Sequence, residues 1–296
     1  MKLWGIDLGG TKIECAVIDT EKTIVRRRLP TEAEKGYEHI ISQIETLVAE
    51  VSKEIGERPS KIGFATPGVL SPDSRTMKNS NTVVLNGQPM QSDLEKVLRL
   101  PVKISNDANC FALAEATLGA GKDYPNADLI FGVIMGTGVG GGIVAHGKII
   151  EGIHGIAGEW GHNILEENGE ECYCGKKGCV EKVISGTALE HFYEKISGRK
   201  LKLKDILANH LAGTDQHATE TIERLLEFYG RAISTLINVL DPNLIVIGGG
   251  VGNIDLLYTE GSERVKKYIF NPGELKTVIR KPVLGDSAGV FGAALL

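Results

Sequence analysis

No stretch of this 296-residue chain holds the roughly 20 consecutive apolar residues that a membrane-spanning helix needs, so a membrane protein of that kind is excluded. There is no block of basic residues either. Lys and Arg number 33 against 38 Asp and Glu, the net charge is −5, and nucleic acid is not an expected partner. No Gly-Lys-Ser/Thr follows any of the glycine runs, which removes a Walker-type phosphate loop. The first residues, Lys2-Leu3-Trp4-Gly5-Ile6-Asp7, read as a strand and not as a signal peptide. Cysteine is scarce, with 5 in the chain, and its crowding suits a reducing compartment, the cytoplasm, because oxidation would destroy a metal site. The length and an ordinary 42% hydrophobic content supply one large domain or two average ones.

What is present is concentrated. Cys172, Cys174 and Cys179 follow closely on His162, giving His-x9-Cys-x-Cys-x4-Cys. Three thiolates and one imidazole are the ligand set of a closed tetrahedral zinc site. Gly175 and Gly178 allow the loop to fold back on itself, and Lys176 and Lys177 offset thiolate charge. The competing readings are a disulfide with a spare thiol, or plain buried cysteines. Glu159, three residues before His162, suggests that the metal shapes a polar pocket.

Two segments look alike: Gly5-Ile6-Asp7-Leu8-Gly9-Gly10-Thr11 and Gly132-Val133-Ile134-Met135-Gly136-Thr137-Gly138. Each is an apolar strand, a glycine turn and a second strand, Ile13 to Asp19 in one and Gly142 to Ala145 in the other. A third short strand follows, near Thr23 to Arg28 and near Lys148 to Ile150. One unit used twice implies two similar domains. Apolar spacing predicts helices over about Gly36–Glu54, Asp107–Leu118 and Thr219–Leu240, the last stopped by Asp241-Pro242. Lys61–Ala65, Val102–Ser105 and Leu244–Ile247 read as strands, so the fold class is α/β. Ser287 to Leu296 reads as a helix packed back on the first domain. The expected domains are 1–117 with 282–296, and 118–281.

Four features carry chemistry. Asp7-x-Gly9-x-Thr11 at a strand end brings bare backbone to phosphate oxygens, and Asp7 can hold a divalent cation. Alone, such a hairpin is also an ordinary turn. Gly136 to Gly142 holds more glycine than turning requires, which implies close approach of a ligand. Asn106-Asp107, at the end of a strand and the start of a helix, places a carboxylate where it stays ionised and accepts a proton from a hydroxyl; the same pair also serves as a helix cap. Gly248-Gly249-Gly250 offers backbone to an adenosine or makes a tight turn. Together they point to phosphoryl transfer from a nucleotide to a hydroxyl.

These residues, with Gly158-Glu159-Trp160-Gly161-His162, Cys172 to Glu181 and Leu240-Asp241-Pro242, resemble the ROK family of sugar kinases over nearly the whole length. The resemblance implies a two-domain actin-like ATPase (ribonuclease H-like) fold of duplicated βββαβα units with a cleft between them. It implies Asp107 as catalytic base, and Gly68, Asn81, Asn106, Glu159, His162 and Glu181 as sugar-binding residues, His162 placing one ring nitrogen on zinc and the other toward a sugar hydroxyl. It implies Asp7, Gly9, Gly10, Thr11, Lys12, Gly136, Thr137 and Gly138 at the phosphates and Gly248, Gly249 and Gly250 at the adenosine. ATP with Mg²⁺, a structural Zn²⁺ and a homodimer are the expected cofactors and assembly.

Lys78 to Asn81, Leu85 to Pro89, Leu29-Pro30-Thr31 and the Glu-Trp-Gly-His-Asn loop look most like the fructokinase members, making fructose the expected acceptor. Glucose, mannose or an N-acetylhexosamine are the alternatives within the family. A sugar-responsive repressor is a distant one, since such proteins carry a DNA-binding segment before the Asp7 strand, which here begins at residue 3.

Overall fold

The computed structural model describes residues 2–19, 22–271 and 274–296. The chain divides into two compact units. One comprises Met1–Lys122, Gly142–Ala157 and Val283–Leu296; the other comprises Asp123–Gly141 and Gly158–Pro282. Gly142–Ala157 therefore groups with the N-terminal residues, where the sequence pattern assigns it to the second half.

In the first unit β1 (Lys2–Leu8), β2 (Lys12–Asp19) and β3 (Lys22–Pro30) form an antiparallel meander. Helix α1 (Tyr37–Ile55) then crosses to β4 (Ile62–Thr66), which lies parallel to β1. Its apolar stripe, Ile40, Ile41, Ile44, Leu47, Val48 and Val51, is buried against the sheet's core, and Gly56 ends it in the left-handed conformation. After the short strands β5 (Val69–Leu70) and β6 (Met77–Lys78) and helix α2 (Met90–Leu98), β7 (Val102–Asn106) pairs parallel to β4. The sheet order is β3-β2-β1-β4-β7. Helix α3 (Asp107–Thr117) starts directly from β7 and is buried along most of its length.

The second sheet is built from β8 (Leu129–Met135), β9 (Val139–Ala145), β10 (Lys148–Ile149), β11 (Leu244–Gly248) and β12 (Val278–Arg280), in the order β10-β9-β8-β11-β12. Strands β8, β11 and β12 run parallel, and β9–β10 is antiparallel. Both sheets thus share one topology, a meander of three strands followed by two parallel additions, which is the duplicated α/β unit read from the two glycine hairpins. Helices α4 (Val180–Ile184), α5 (Gly186–Ser197), α6 (Leu203–Ala212), α7 (Gln216–Leu240), α8 (Gly249–Gly252) and α9 (Glu260–Tyr268) complete the second unit. The sequence reading reaches α7 within three residues at its start but does not find α5, α6 or α9.

Helix α10 (Ala288–Leu295) returns to the first unit, as its sequence predicts. It can lie flat on β4 and α3 because glycine leaves room: a Cβ on Gly63 would stand 1.8 Å from the Ala293 carbonyl, and one on Gly292 would stand 1.8 Å from that of Cys110. Backbone therefore meets backbone there, and the ends of β1, β7 and α3 are held with little freedom. Among the described residues no helix is long and apolar enough to cross a membrane.

Candidate active site

In the first unit the predicted residues converge at the carboxyl ends of three neighbouring parallel strands. Asp7 of β1 is in register with Ala65 of β4, and Thr66 of β4 with Asn106 of β7. The β1–β2 hairpin carrying Gly9, Gly10, Thr11 and Lys12 is pinned by a residue given no chemical role above. Buried Thr31 donates its hydroxyl to the Gly9 carbonyl at 2.7 Å and its N–H to the Thr11 carbonyl at 3.0 Å. Asp7 is pushed up to about 7, by burial first and then by the charges of Asp107 and Glu14, with Lys12 and Arg28 opposing. Two carboxylates that burden each other in this way are suited to share a divalent cation.

Asn106 and Asp107 combine both readings open to them. The Asn106 side chain caps α3 by accepting the Ala108 N–H at 2.9 Å, and Asp107 Oδ1 accepts the same N–H at 2.8 Å. The helix N-terminus therefore favours an ionised Asp107, as a base requires. Thr66, fully buried, donates to the Gly68 and Ser105 carbonyls at 3.0 and 3.3 Å and so ties the Gly68 turn to β7. Asn81 is exposed on a loop that its neighbours define: Asn86 accepts from the Ser80 N–H and donates to its carbonyl, both at 2.9 Å.

The glycine run Gly136 to Gly142 also serves packing. A Cβ on Gly138 would lie 2.4 Å from Glu181 Oε2, and one on Gly141 would lie 2.8 Å from the Trp160 indole. Gly138 and Gly141 thus make room for the protein's own side chains. That packing assembles the polar loop: Glu181 accepts the Val139 N–H at 3.0 Å, and Trp160 donates from Nε1 to the Gly140 carbonyl at 2.9 Å. Glu159 and His162 flank that anchored indole. Burial raises Glu159, the charge of Glu181 adds to this, and His162 opposes it.

The turn of the hairpin faces α5. Gly186 donates its N–H to the Gly136 carbonyl at 2.7 Å, and Thr187 its hydroxyl to the Thr137 carbonyl at 2.9 Å. Gly249, at φ +83°, sits against Met135 and Gly136, so Gly248–Gly250 closes the other side. A cavity of about 870 Å³ opens there, lined among others by Gly136, Thr137, Thr187, Gly250 and Asn253. The sequence reading does not reach Thr187; the signal for it is Ser185, whose side chain caps α5 through the Ala188 N–H.

His162, Cys172, Cys174 and Cys179 come together with their donor atoms all within 4.8 Å of one another. Two of the separations, Cys172 Sγ to His162 Nδ1 and Cys174 Sγ to Cys179 Sγ, are 3.6 Å. The edge of a tetrahedron with zinc–sulfur bonds of about 2.3 Å is roughly 3.8 Å, so the set fits a zinc ion. All five cysteines are free thiols, which removes the disulfide reading. Burial and the neighbouring Cys174 and Cys172 push the Cys179 thiol up to about 12, a repulsion that a bound cation would relieve. The other nitrogen, Nε2, does not face open space. It pairs with the hydroxyl of Tyr173 at 2.9 Å.

The ROK family model matches residues 3–296. The chain is 36% identical to the N-acetyl-D-glucosamine kinase of Aliivibrio fischeri over 304 aligned positions, 99% of this chain and 98% of that one. It matches the structure of the ROK hexokinase from Thermus thermophilus with a TM-score of 0.89 and 31% identity, over 100% of this chain and 97% of the other. It also matches a ROK family glucokinase from Streptomyces griseus, in complex with glucose and AMPPNP, with a TM-score of 0.80 and 26% identity over 99% and 98% of the two chains. The carboxylates at the strand ends, the glycine hairpins, the zinc-type cluster and these full-length matches agree: the chain belongs to the ROK family and is a sugar kinase, a phosphotransferase with an alcohol acceptor.

Proposed function

We propose that this kinase transfers the γ-phosphoryl group of ATP to the terminal hydroxyl of D-fructose, giving fructose 6-phosphate. The observation that carries phosphoryl transfer is the pair Asp7 and Asp107, at the carboxyl ends of β1 and β7 on either side of β4, whose charges bear on each other beside a pinned glycine hairpin. Asp107 takes the proton of the attacking hydroxyl, its charge maintained by the N-terminus of α3. Asp7 holds Mg²⁺, and Gly9, Gly10, Thr11 and Lys12 meet the phosphates, as do Gly136, Thr137 and Gly138. Magnesium, when bound, neutralises phosphate charge as it accumulates during transfer. Gly248, Gly249 and Gly250 border the adenosine. Gly68, Asn81, Asn106, Glu159, His162 and Glu181 hold the sugar, and His162 with the three cysteines holds a structural zinc. The protein works in the cytoplasm, where its thiols stay reduced, and as a homodimer.

Fructose rests on the resemblance of Lys78 to Pro89 and of the Glu159 to Asn163 loop to fructokinases. A second reading, N-acetyl-D-glucosamine, is favoured by relatives at 36% identity that carry that name. Identity across a whole chain is spread over core and phosphate loops, whereas acceptor choice depends on the few groups that meet ring substituents. A coupled ADP-release assay over fructose, N-acetylglucosamine, glucose, mannose and N-acetylmannosamine decides. A kcat/KM for N-acetylglucosamine tenfold above that for fructose would move the assignment to the second reading. Asp107→Asn should lower kcat by ~10²–10⁴-fold while calorimetry still records sugar binding. A variant with wild-type kcat would remove Asp107 from the mechanism.

A further inference from the structure

Tyr173 stands between two cysteines of the metal-type cluster, in a turn closed by the Gly175 N–H to the Cys172 carbonyl at 3.0 Å and the Cys172 N–H to the Lys176 carbonyl at 2.8 Å. Its side chain is 80% exposed, so burial of the ring does not explain its pose. Yet the pose is specific. The ring meets the His162 imidazole edge-on, with centroids 5.1 Å apart and planes at 86°, and the hydroxyl reaches Nε2 at 2.9 Å. Nδ1 of the same imidazole is turned to the thiols. A neutral imidazole ligating through Nδ1 carries its proton on Nε2. The Nε2–H then donates to the Tyr173 oxygen, and the phenol proton is left to donate outward. The carboxylates whose charge bears on that hydroxyl are Glu181 and Glu159.

We propose that Tyr173 is an acceptor-site residue that determines sugar specificity: its hydroxyl, oriented by His162, meets the sugar in the corner where the imidazole alone would otherwise do so. The proposal rests on the reading that Glu159, His162 and Glu181 hold the hexose. A ring hydroxyl in that corner can donate to a carboxylate and accept from the phenol at once. An acetamido group splits its donor N–H and its acceptor carbonyl over two separated atoms and adds a methyl, so a corner sized for one hydroxyl oxygen cannot pair both and leaves polar groups unpaired. Tyr173 therefore favours a hydroxylated hexose over an N-acetylhexosamine.

The test uses Tyr173→Phe in the full-length protein, with zinc content measured alongside. Titration calorimetry with fructose should show affinity weakened about tenfold. Steady-state kinetics should place the loss in the sugar KM, with kcat and the ATP KM within about twofold of wild type. The ratio of kcat/KM for fructose to that for N-acetylglucosamine should fall about fivefold or more. Unchanged sugar affinity and ratio at full zinc occupancy would overturn the proposal, as would a loss of zinc that accounts for the weaker binding. Glu159→Gln separates the two levels. If it weakens sugar binding while Tyr173→Phe does not, only this inference falls; if neither variant does, the reading of the pocket falls with it.

Discussion

Glu115 offers a stability test whose size follows from geometry. Its side chain is 0% exposed near the end of α3, and its carboxylate accepts three backbone N–H groups. Oε1 takes Leu284 at 2.8 Å and Val283 at 3.1 Å; Oε2 takes Ala120 at 3.0 Å and Val283 at 3.0 Å. These donors belong to the two stretches where the chain leaves the first unit after Lys122 and re-enters it at Val283. Glu115→Ala orphans the buried Ala120 N–H, at about 1–3 kcal/mol, and removes charge-assisted bonds to two donors that water can partly re-solvate. A net loss of about 3–5 kcal/mol is expected from one orphaned donor together with the partial loss of the charge-assisted bonds to the other two. At about 2–4 °C per kcal/mol for chains of this order of size, thermal unfolding followed by circular dichroism should drop by on the order of 10 °C. Glu115→Gln keeps the volume and one carbonyl oxygen but turns an NH₂ toward a backbone donor, so it should lose about half as much. A Glu115→Ala protein melting within about 2 °C of wild type would refute the argument.

Asp7→Asn should become more stable than wild type as pH rises. The native carboxyl sits at about 7, against the 3.8 of an unperturbed aspartate, so in wild type the stabilisation present below pH 4 is lost between about pH 4 and pH 7 and then levels off. The variant's advantage should grow over that window to at most about 4 kcal/mol, less what solvent screening removes; urea unfolding at pH 5 and pH 8 without added Mg²⁺ checks it, and an equal difference at both would contradict it. Protein purified without added metal should hold one zinc per chain. Removing it should weaken sugar binding, because His162 adjoins Glu159, while nucleotide binding persists on the α5 side of the hairpin; zinc-free protein with intact sugar affinity would refute a link between the ion and the sugar pocket.

Much of the architecture was legible because it depends on short-range rules. The stripe of α1, the apolar strand Leu244–Ile247, the Asp241-Pro242 stop and the strand-to-helix step at Asp107 each announce themselves within a few residues. The zinc-type cluster was legible for the same reason, since its three cysteines fall on one short loop. Helices α5, α6 and α9 were harder to read: α6 has only Ile206 buried, and α9 only Gly261 and Val265, so neither displays a long apolar stripe.

Local pattern in the chain determined the fold class, the duplication, the thiol cluster and the identity of the acid at the strand end, because each needs only neighbours in sequence. Tertiary structure alone decided how those pieces are held. It showed that Gly138 and Gly141 yield space to Glu181 and Trp160, since only packing reveals what a missing Cβ would strike. It put Thr31 against Gly9, Thr187 against Thr137, and Glu115 against Val283 and Leu284, pairs separated by 22, 50 and up to 169 positions. It also gave the second nitrogen of His162 to Tyr173, an orientation that no spacing rule encodes because it depends on how a ring is turned within a closed loop.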